Sequence, residues 1–490
     1  LLLAIVGIAL GLRVYGFAKA SFWGDELHAL ENSTGRGLAH LAIPGNVVVE
    51  PGPRATSLVG APPWWSIWTS LDLDTHPPLH FVALRFWRRL FGEDEAGARS
   101  LSIVCSLLAL LGLWAAVRSW HGTRAALWAG ALMALSAAQI RYAQEARSYA
   151  FLFALAMAGM TSLAAIERRG ASWPRLLALG ASVLGMALTH YFCAGALLAM
   201  GAHAALALAG STRRRVLTTL VAAGGLYGVV WGPFISLAMI GREQNPLLFE
   251  RGGTCAICFV GRLLRLPAAY LGGDAAHVTA WAPLLGAVVW PVVGWLAIRR
   301  RRLRPWTFWL LGTVGAVALL DAARGSVHLF VIRYTLLASP GLFALLGAGC
   351  DDARSWLSRH GPPLAALVLE IAFLPHATDR IPASDWRALA ADIDRDAGPR
   401  DVLLLVRSER EWSGRIYALA LSHYLRTPRP VAILESAPSP ELVDRLRAAP
   451  GVWLLAPPGE RLDRVPGLRV VSVIRERDVP VLARLELDHR

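Results

Sequence analysis

The sequence predicts an α-helical polytopic membrane protein with a small C-terminal α/β soluble domain. Three observations carry that expectation. Of the 490 residues, 55% are hydrophobic and only 17% are charged, where soluble globular proteins have about 25% charged residues. Apolar runs long enough, or nearly long enough, to cross a bilayer recur as far as residue 376, and mean hydropathy is +0.45. From about residue 377 the chain changes character and reads as alternating amphipathic helix and buried strand. The net charge of +14 by itself would suit a nucleic-acid binder. Its basic residues instead lie in short clusters between apolar runs, and Lys19 is the single lysine among arginines. Composition therefore excludes nucleic acid and points to the lipid bilayer.

Taken in order, LLLAIVGIALGL opens the chain as a hydrophobic stretch with no convincing small-residue cleavage site after it, so it is expected to be a retained first helix. Further runs lie at about 100–117, 125–140, 148–166, 176–189, 191–209, 216–240, 275–298, 306–320, 327–350 and 361–376. That makes about eleven spans, several of which must extend to reach the ~20 residues a crossing requires. PPLHFVALRFWRRLF at 77–91 is different. Arg85, Arg88 and Arg89 share one face, and Leu79, Val82, Ala83, Phe86 and Leu90 form the other. Such a helix is expected to lie in the interface as a juxtamembrane helix.

Orientation follows from arginine. If 77–91 does not span, Arg118 and Arg124, then Arg168, Arg169 and Arg175, then Arg213–Arg215, Arg299–Arg302 with Arg304, and Arg354 with Arg359 all fall on one side. The N-terminus is then cytoplasmic and the C-terminal domain extracytoplasmic. The outer side holds a long loop at 17–98, short segments at 141–147, near His190 and at 321–326, a loop at 241–274, and the tail. Cys255 and Cys258 in TCAIC suit either a local disulfide or two unlinked positions. The tail, 377–490, shows helix then strand three times, followed by a strand pair around a turn. It has no Gly-rich phosphate loop, and its expected role is a cap or docking module.

Polar residues gather on the outer side: Asp25 and Glu26 in SFWGDELHAL, His76, then Arg141, Glu145 and Arg147 in QIRYAQEARSYA, His190, and Asp321, His328 and Arg333. Charge near membrane depth is costly, so a cluster on one side suggests a shared polar cavity. Each residue also has a plainer reading. Glu145 can pair with Arg141 at i, i+4, Arg333 can snorkel, and Asp25 and Glu26 can cap the short helix DELHALENS, whose first turn suits acids.

The order LRVYGFAKASFWGDELHAL, THPPLHFVALRFWRRLFG, SAAQIRYAQEARSYAFLF, LTHYF and VIRYTLLASPGL resembles the GT-C superfamily of lipid-linked-sugar glycosyltransferases. Within it, the nearest branch holds the protein O-mannosyltransferases and lipid A aminoarabinose transferases. The resemblance runs over about residues 10–375 and is most specific at the acid pair and the His-Pro-Pro-Leu element. It implies a GT-C-like membrane domain over 1–376 in a bacterial inner membrane. The implied reaction is inverting transfer of a sugar from a polyprenyl-phosphate donor to an acceptor glycan, lipid or protein hydroxyl. It implies Asp25 as the catalytic carboxylate, with Glu26 and Glu145 supporting acceptor or metal binding. Arg147, Arg333, His190 and Tyr334 fall at the donor phosphate. His76 stands where some relatives carry an acid near a bound metal, which makes a divalent metal ion the one cofactor the resemblance allows. Relatives often have Glu before the Arg-Tyr pair, where this chain has Ile332. A transporter or flippase for a lipid-linked or envelope substrate is the alternative. Against it stand the lack of repeated hydropathy and the position of the polar groups at helix ends.

Overall fold

Helices make up most of the described chain. The computed structural model describes residues 1–71, 76–243, 255–349, 355–378, 385–406, 413–435, 437–457, 468–475 and 481–487. Packing divides the chain into two units. One takes Leu1–Phe17, Thr75–His80 and Ala98–Asp379; the other takes Ala18–Asp74, Phe81–Gly97 and Arg380–Arg490.

In the first unit, helices Glu95–His121, Ser148–Arg169, Gly210–Ile235, Ala282–Arg299 and Arg301–Arg324 are long and apolar enough to cross a membrane. Leu2–Val14, Thr123–Leu135, Trp173–Ala187, Tyr191–Ala207 and Leu336–Ala348 are apolar but shorter. Small residues set their spacing, because lipid tails give apolar helices no hydrophobic reason to associate and close packing must do it. Helices Ala194–Ala207 and Arg304–Arg324 cross where Gly195 faces Gly312, and a Cβ on Gly195 would strike the Gly312 carbonyl. At Gly112 an added Cβ would stand 2.8 Å from Met157, and Thr161 donates to the Gly112 carbonyl at 2.9 Å.

The end of the first helix is held by two polar side chains. Arg13 is fully buried, donating to Ser106 Oγ at 2.8 Å and to the Ala134 and Met133 carbonyls at 3.0 Å. A cation at the carbonyl end of helix Thr123–Leu135 is favourable. Gln144 directs its amide nitrogen at the Leu12, Arg13 and Tyr15 carbonyls, 3.0–3.2 Å away.

Three expectations about this unit change. The run at 125–140 is not one helix: it breaks at Ser136, whose Oγ donates to the Tyr270 carbonyl at 2.7 Å and accepts from Gln139 N–H as Ala137–Ala143 begins. Within the run at 327–350 the α-helix is Ser339–Ala348. Before it come three 3₁₀ turns, His328–Phe330, Ile332–Tyr334 and Leu336–Ala338. Pro340 starts the helix, and Trp309 Nε1 satisfies the Leu337 carbonyl at 2.7 Å. The loop expected at 241–274 contains a helix, Ala256–His277. Arg262, Arg265, Asp274 and Pro267 hide it from a hydropathy reading. It bends at Gly273, whose φ of 71° a side chain would disfavour. Residues 244–254 of that loop lie outside the described set. Cys255 and Cys258, at the start of this helix, form a disulfide.

The second unit is built on a six-stranded mixed sheet. Its strands are β1 (Val48–Val49), β2 (Val402–Val406), β3 (Val431–Leu434), β4 (Val452–Ala456), β5 (Leu468–Arg475) and β6 (Val481–Leu487), in the order β1-β3-β2-β4-β6-β5. β2 is parallel to β3 and β4, and all three strands are buried along their length, which explains their unbroken apolar sequences. Helices Trp386–Asp396, Ser413–Tyr424 and Pro440–Arg447 alternate with them. β5 and β6 pair antiparallel, as the last segment predicts. The sequence did not announce β1: Val48 and Val49, from the long early loop, pair antiparallel with Ala432 and Val431.

Candidate active site

Asp25 and Glu26 occupy the first turn of helix Gly24–Asn32, where the amide end of the helix favours negative charge. There the two acids part. Glu26 is fully buried and reaches back to accept the Trp23 N–H at 3.2 Å. Asp25 is half-buried. At the far end of this helix, Glu31 is buried against His40, accepting its backbone N–H at 2.8 Å and meeting Nδ1 at 2.6 Å. The His28 ring stacks on His40 at 5.0 Å.

Helix Leu79–Phe91 secures the same end. Arg88 donates to the Leu30 carbonyl at 2.9 Å, Ser33 Oγ at 2.7 Å and the Thr56 carbonyl at 2.6 Å, while Arg85 reaches the Thr34 and Pro62 carbonyls. Both guanidiniums are buried, and burial pushes that of Arg88 down to about 10, still charged at neutral pH. The expected division of this helix therefore needs correction. Two of its three arginines face inward onto the acid-bearing loop, whereas Arg89 is exposed beside the apolar Phe86, Leu90 and Phe91.

The other predicted residues lie in the first unit and form a connected group. Helix Ala137–Ala143 ends at Gln144, and a short turn carries Glu145 and Arg147 to the start of helix Ser148–Arg169. Both side chains are buried. Glu145 lies 3.7 Å from Arg141, the i, i+4 pair the sequence allows, but Arg141 also pairs with Asp274. The Arg147 guanidinium lies over the Tyr149 ring at 5.9 Å. Tyr149 leads to His190 at 5.9 Å, His190 to His76 at 4.9 Å and to Phe192 at 5.3 Å. Phe192 touches Tyr334 at 4.7 Å and His328 at 5.5 Å, and Arg333 lies over Tyr334 at 5.4 Å. His190 is fixed at the head of a 3₁₀ turn, its Nδ1 accepting the Phe192 N–H at 3.2 Å. Asp321, buried, accepts from Ser326 Oγ and from the backbone of His328 and Leu329, and holds His328 Nδ1 at 2.8 Å. The irregular stretch 328–338 thus places Arg333 and Tyr334. Non-helical backbone of this kind occurs at membrane depth where it is buried in protein or lines a cavity.

His80 joins this group without a sequence signal beyond its place in PPLH. Burial, then the charges of Arg147 and His76, push its imidazole down to about 3, so it is neutral. Tyr149 and Phe192, which link the predicted residues, gave no sign either, because an aromatic in an apolar run reads as core. Among the described residues no group of three or more His, Cys, Asp or Glu side chains is placed to hold a metal ion. His76 lies edge-on to His190.

Arginines, histidines and a tyrosine on fixed backbone suit a phosphate oxyanion, and a half-buried carboxylate at a helix start suits a base. A family model described as dolichyl-phosphate-mannose-protein mannosyltransferase matches residues 75–235, which include His76, Glu145, Arg147 and His190. No curated protein sequence gives a significant match. Among solved structures, ArnT from Cupriavidus metallidurans bound to undecaprenyl phosphate is 17% identical. The likeness covers 98% of this chain and 97% of that one, with a TM-score of 0.62, and the apo form scores 0.61. The Archaeoglobus fulgidus oligosaccharyltransferase, in complex with zinc and sulfate, is 11% identical over 86% of this chain and 61% of that one, with a TM-score of 0.51. The chain therefore shares the fold of ArnT over nearly its whole length, and its residues 75–235 match the dolichyl-phosphate-mannose-protein mannosyltransferase model.

Proposed function

We propose that the protein is a membrane glycosyltransferase that transfers a sugar from a polyprenyl-phosphate donor to an acceptor hydroxyl, with inversion, on the extracytoplasmic side. The observation that carries this reading is the connected group Arg147, His190, Tyr334 and Arg333, in a fold shared with a protein solved bound to undecaprenyl phosphate. The leaving group is a phosphate, so it needs charge stabilisation more than a proton. Preorganised cations and hydrogen-bond donors supply it, usually as a large catalytic term. Asp25 takes the proton from the acceptor hydroxyl as its oxygen attacks the anomeric carbon, and the bond to the phosphate oxygen breaks on the opposite face. One carboxylate suffices, unlike the pair used in glycoside hydrolysis. Glu145 holds Arg141 and the turn that presents Arg147.

The extracytoplasmic assignment is supported by the clusters at Arg118 and Arg124, Arg168–Arg175 and Arg213–Arg215. These precede helix Ala256–His277, so the corrected loop does not disturb them. The setting proposed is a bacterial inner membrane.

The test is turnover of full-length protein in nanodiscs, read as release of undecaprenyl phosphate from undecaprenyl-phosphate sugars in a membrane lipid extract. Asp25→Asn is expected to lower the rate about 10²–10⁴-fold, the usual worth of a general base. A folded Asp25→Asn protein with near-normal turnover would remove Asp25 from the chemistry. The transporter reading predicts movement of intact donor lipid and no released phosphate.

A further inference from the structure

The C-terminal segment grips the chain immediately ahead of Asp25. Phe22 N–H donates to Tyr424 Oη at 2.8 Å, and Tyr424 Oη donates to Glu95 at 2.5 Å. Arg387 meets the same Glu95 oxygen at 2.7 Å and reaches the Ala18 carbonyl at 3.3 Å. The Arg387 N–H donates to Ser21 Oγ at 3.2 Å, and Ser21 Oγ donates to Asp385 at 3.3 Å. The Phe22 ring is buried and stands edge-on to His423 at 5.1 Å, and His423 Nδ1 lies 3.0 Å from Thr56 Oγ1. All these residues belong to one packed unit. Tyr424 is central, because its one hydroxyl uses both its acceptor and its donor capacity here. Only Trp23 and Gly24 separate the gripped Phe22 from Asp25, and a Cβ at Gly24 would meet nothing within 4 Å. Gly24 offers no side chain to hold the loop, and Phe22, two residues before it, is held by Tyr424.

We infer that Tyr424, Glu95 and Arg387 form a clamp that positions the Asp25 loop, which makes the C-terminal segment part of the catalytic apparatus and not a passive cap. The inference rests on reading Asp25 as the base. The three act through the loop they hold, so they are positioning residues. Their effect falls on turnover, because a displacement of about 1 Å from a productive geometry can cost on the order of 10²-fold. Donor binding involves residues of the other unit and is spared.

The experiment uses the full chain in nanodiscs and three readouts: turnover of undecaprenyl-phosphate sugars from a membrane extract, binding of undecaprenyl phosphate, and hydrogen exchange of peptides spanning 18–32. Tyr424→Phe is expected to lower kcat about 10–100-fold while donor KM and undecaprenyl phosphate binding stay within about twofold. The Phe22 amide is expected to exchange at least about tenfold faster once its acceptor is gone. Glu95→Gln keeps an oxygen for Tyr424 and is expected to fall between wild type and Tyr424→Phe. Arg387→Gln leaves the Tyr424 bonds in place and is the second variant should Tyr424→Phe not fold; it is expected to give the same pattern more weakly. Unchanged kcat in a folded clamp variant, or equal losses of kcat and donor binding, overturns the clamp alone. Wild-type protein that releases no undecaprenyl phosphate overturns the reading of Asp25, and with it the catalytic purpose of the clamp.

Discussion

Asp25 and Glu26 are neighbours of one chemical type with opposite surroundings. In the sequence they are interchangeable; which one does chemistry rests on resemblance, because spacing cannot separate adjacent acids. Burial separates them. Glu26 spends its carboxylate on the Trp23 N–H and is closed off from solvent, while Asp25 stays half-buried. Glu26→Gln keeps an oxygen for that N–H, so turnover is expected within about threefold of wild type. Glu26→Ala is expected to lose about 1–2 kcal/mol of stability in thermal unfolding, the cost of a lost cap and an orphaned donor. Abolished turnover in Glu26→Gln would move the base from Asp25 to Glu26. His203 shows the same limit of sequence reading. It looks structural and solitary inside an apolar run, yet its Nε2 lies 2.9 Å from Glu167 Oε2, 36 positions away. A partner at that separation leaves no local pattern.

At the scale of elements, legibility followed hydropathy. The apolar helices and the three helix–strand repeats of the tail were readable because one face, or a whole strand, is apolar at a fixed period. What failed was of a different kind. Helix Ala256–His277 carries Arg262, Arg265 and Asp274, with Arg265 donating to the His277 and Thr279 carbonyls, so its charges mask its helicity. The run at 327–350 is apolar enough for one helix, but its first half folds as successive turns. Strand β1 is two residues long and exists only by virtue of β3. Helix contacts invite a sharper test. Gly195 meets Gly312 backbone to backbone, so Gly195→Leu must push helices Ala194–Ala207 and Arg304–Arg324 apart. A folded yield several-fold below wild type is expected by size-exclusion chromatography. By contrast Gly201, where an added Cβ meets nothing within 4 Å, should accept alanine without loss.

Across the whole molecule, pH acts on the second unit through His423. Burial, then the Arg88 charge, push its imidazole down to about 4, although Glu95 and Asp94 pull the other way. An unfolded histidine titrates near 6.5. Between those values the unfolded chain binds a proton that the folded unit refuses, so stability falls as pH falls from about 6.5 towards 4 and is flat above. The shift amounts to roughly 3 kcal/mol at the acid end. Chemical denaturation followed at pH 7.5 and pH 5 should show this loss in wild type, and His423→Asn should flatten it. The same unit is assembled from distant stretches of chain, Ala18–Asp74 and Phe81–Gly97 with Arg380–Arg490. That arrangement has a consequence in time. At a synthesis rate of about 5–20 residues per second, the roughly 280 residues between Gly97 and Arg380 take about 15–60 s to make. Throughout that interval the nascent loop has neither β3 to pair with Val48 and Val49 nor Tyr424 to receive Phe22. A ribosome that stops short of the tail therefore leaves behind a helical body whose acid-bearing loop was never set, and the last stretch translated is the one that arms the first.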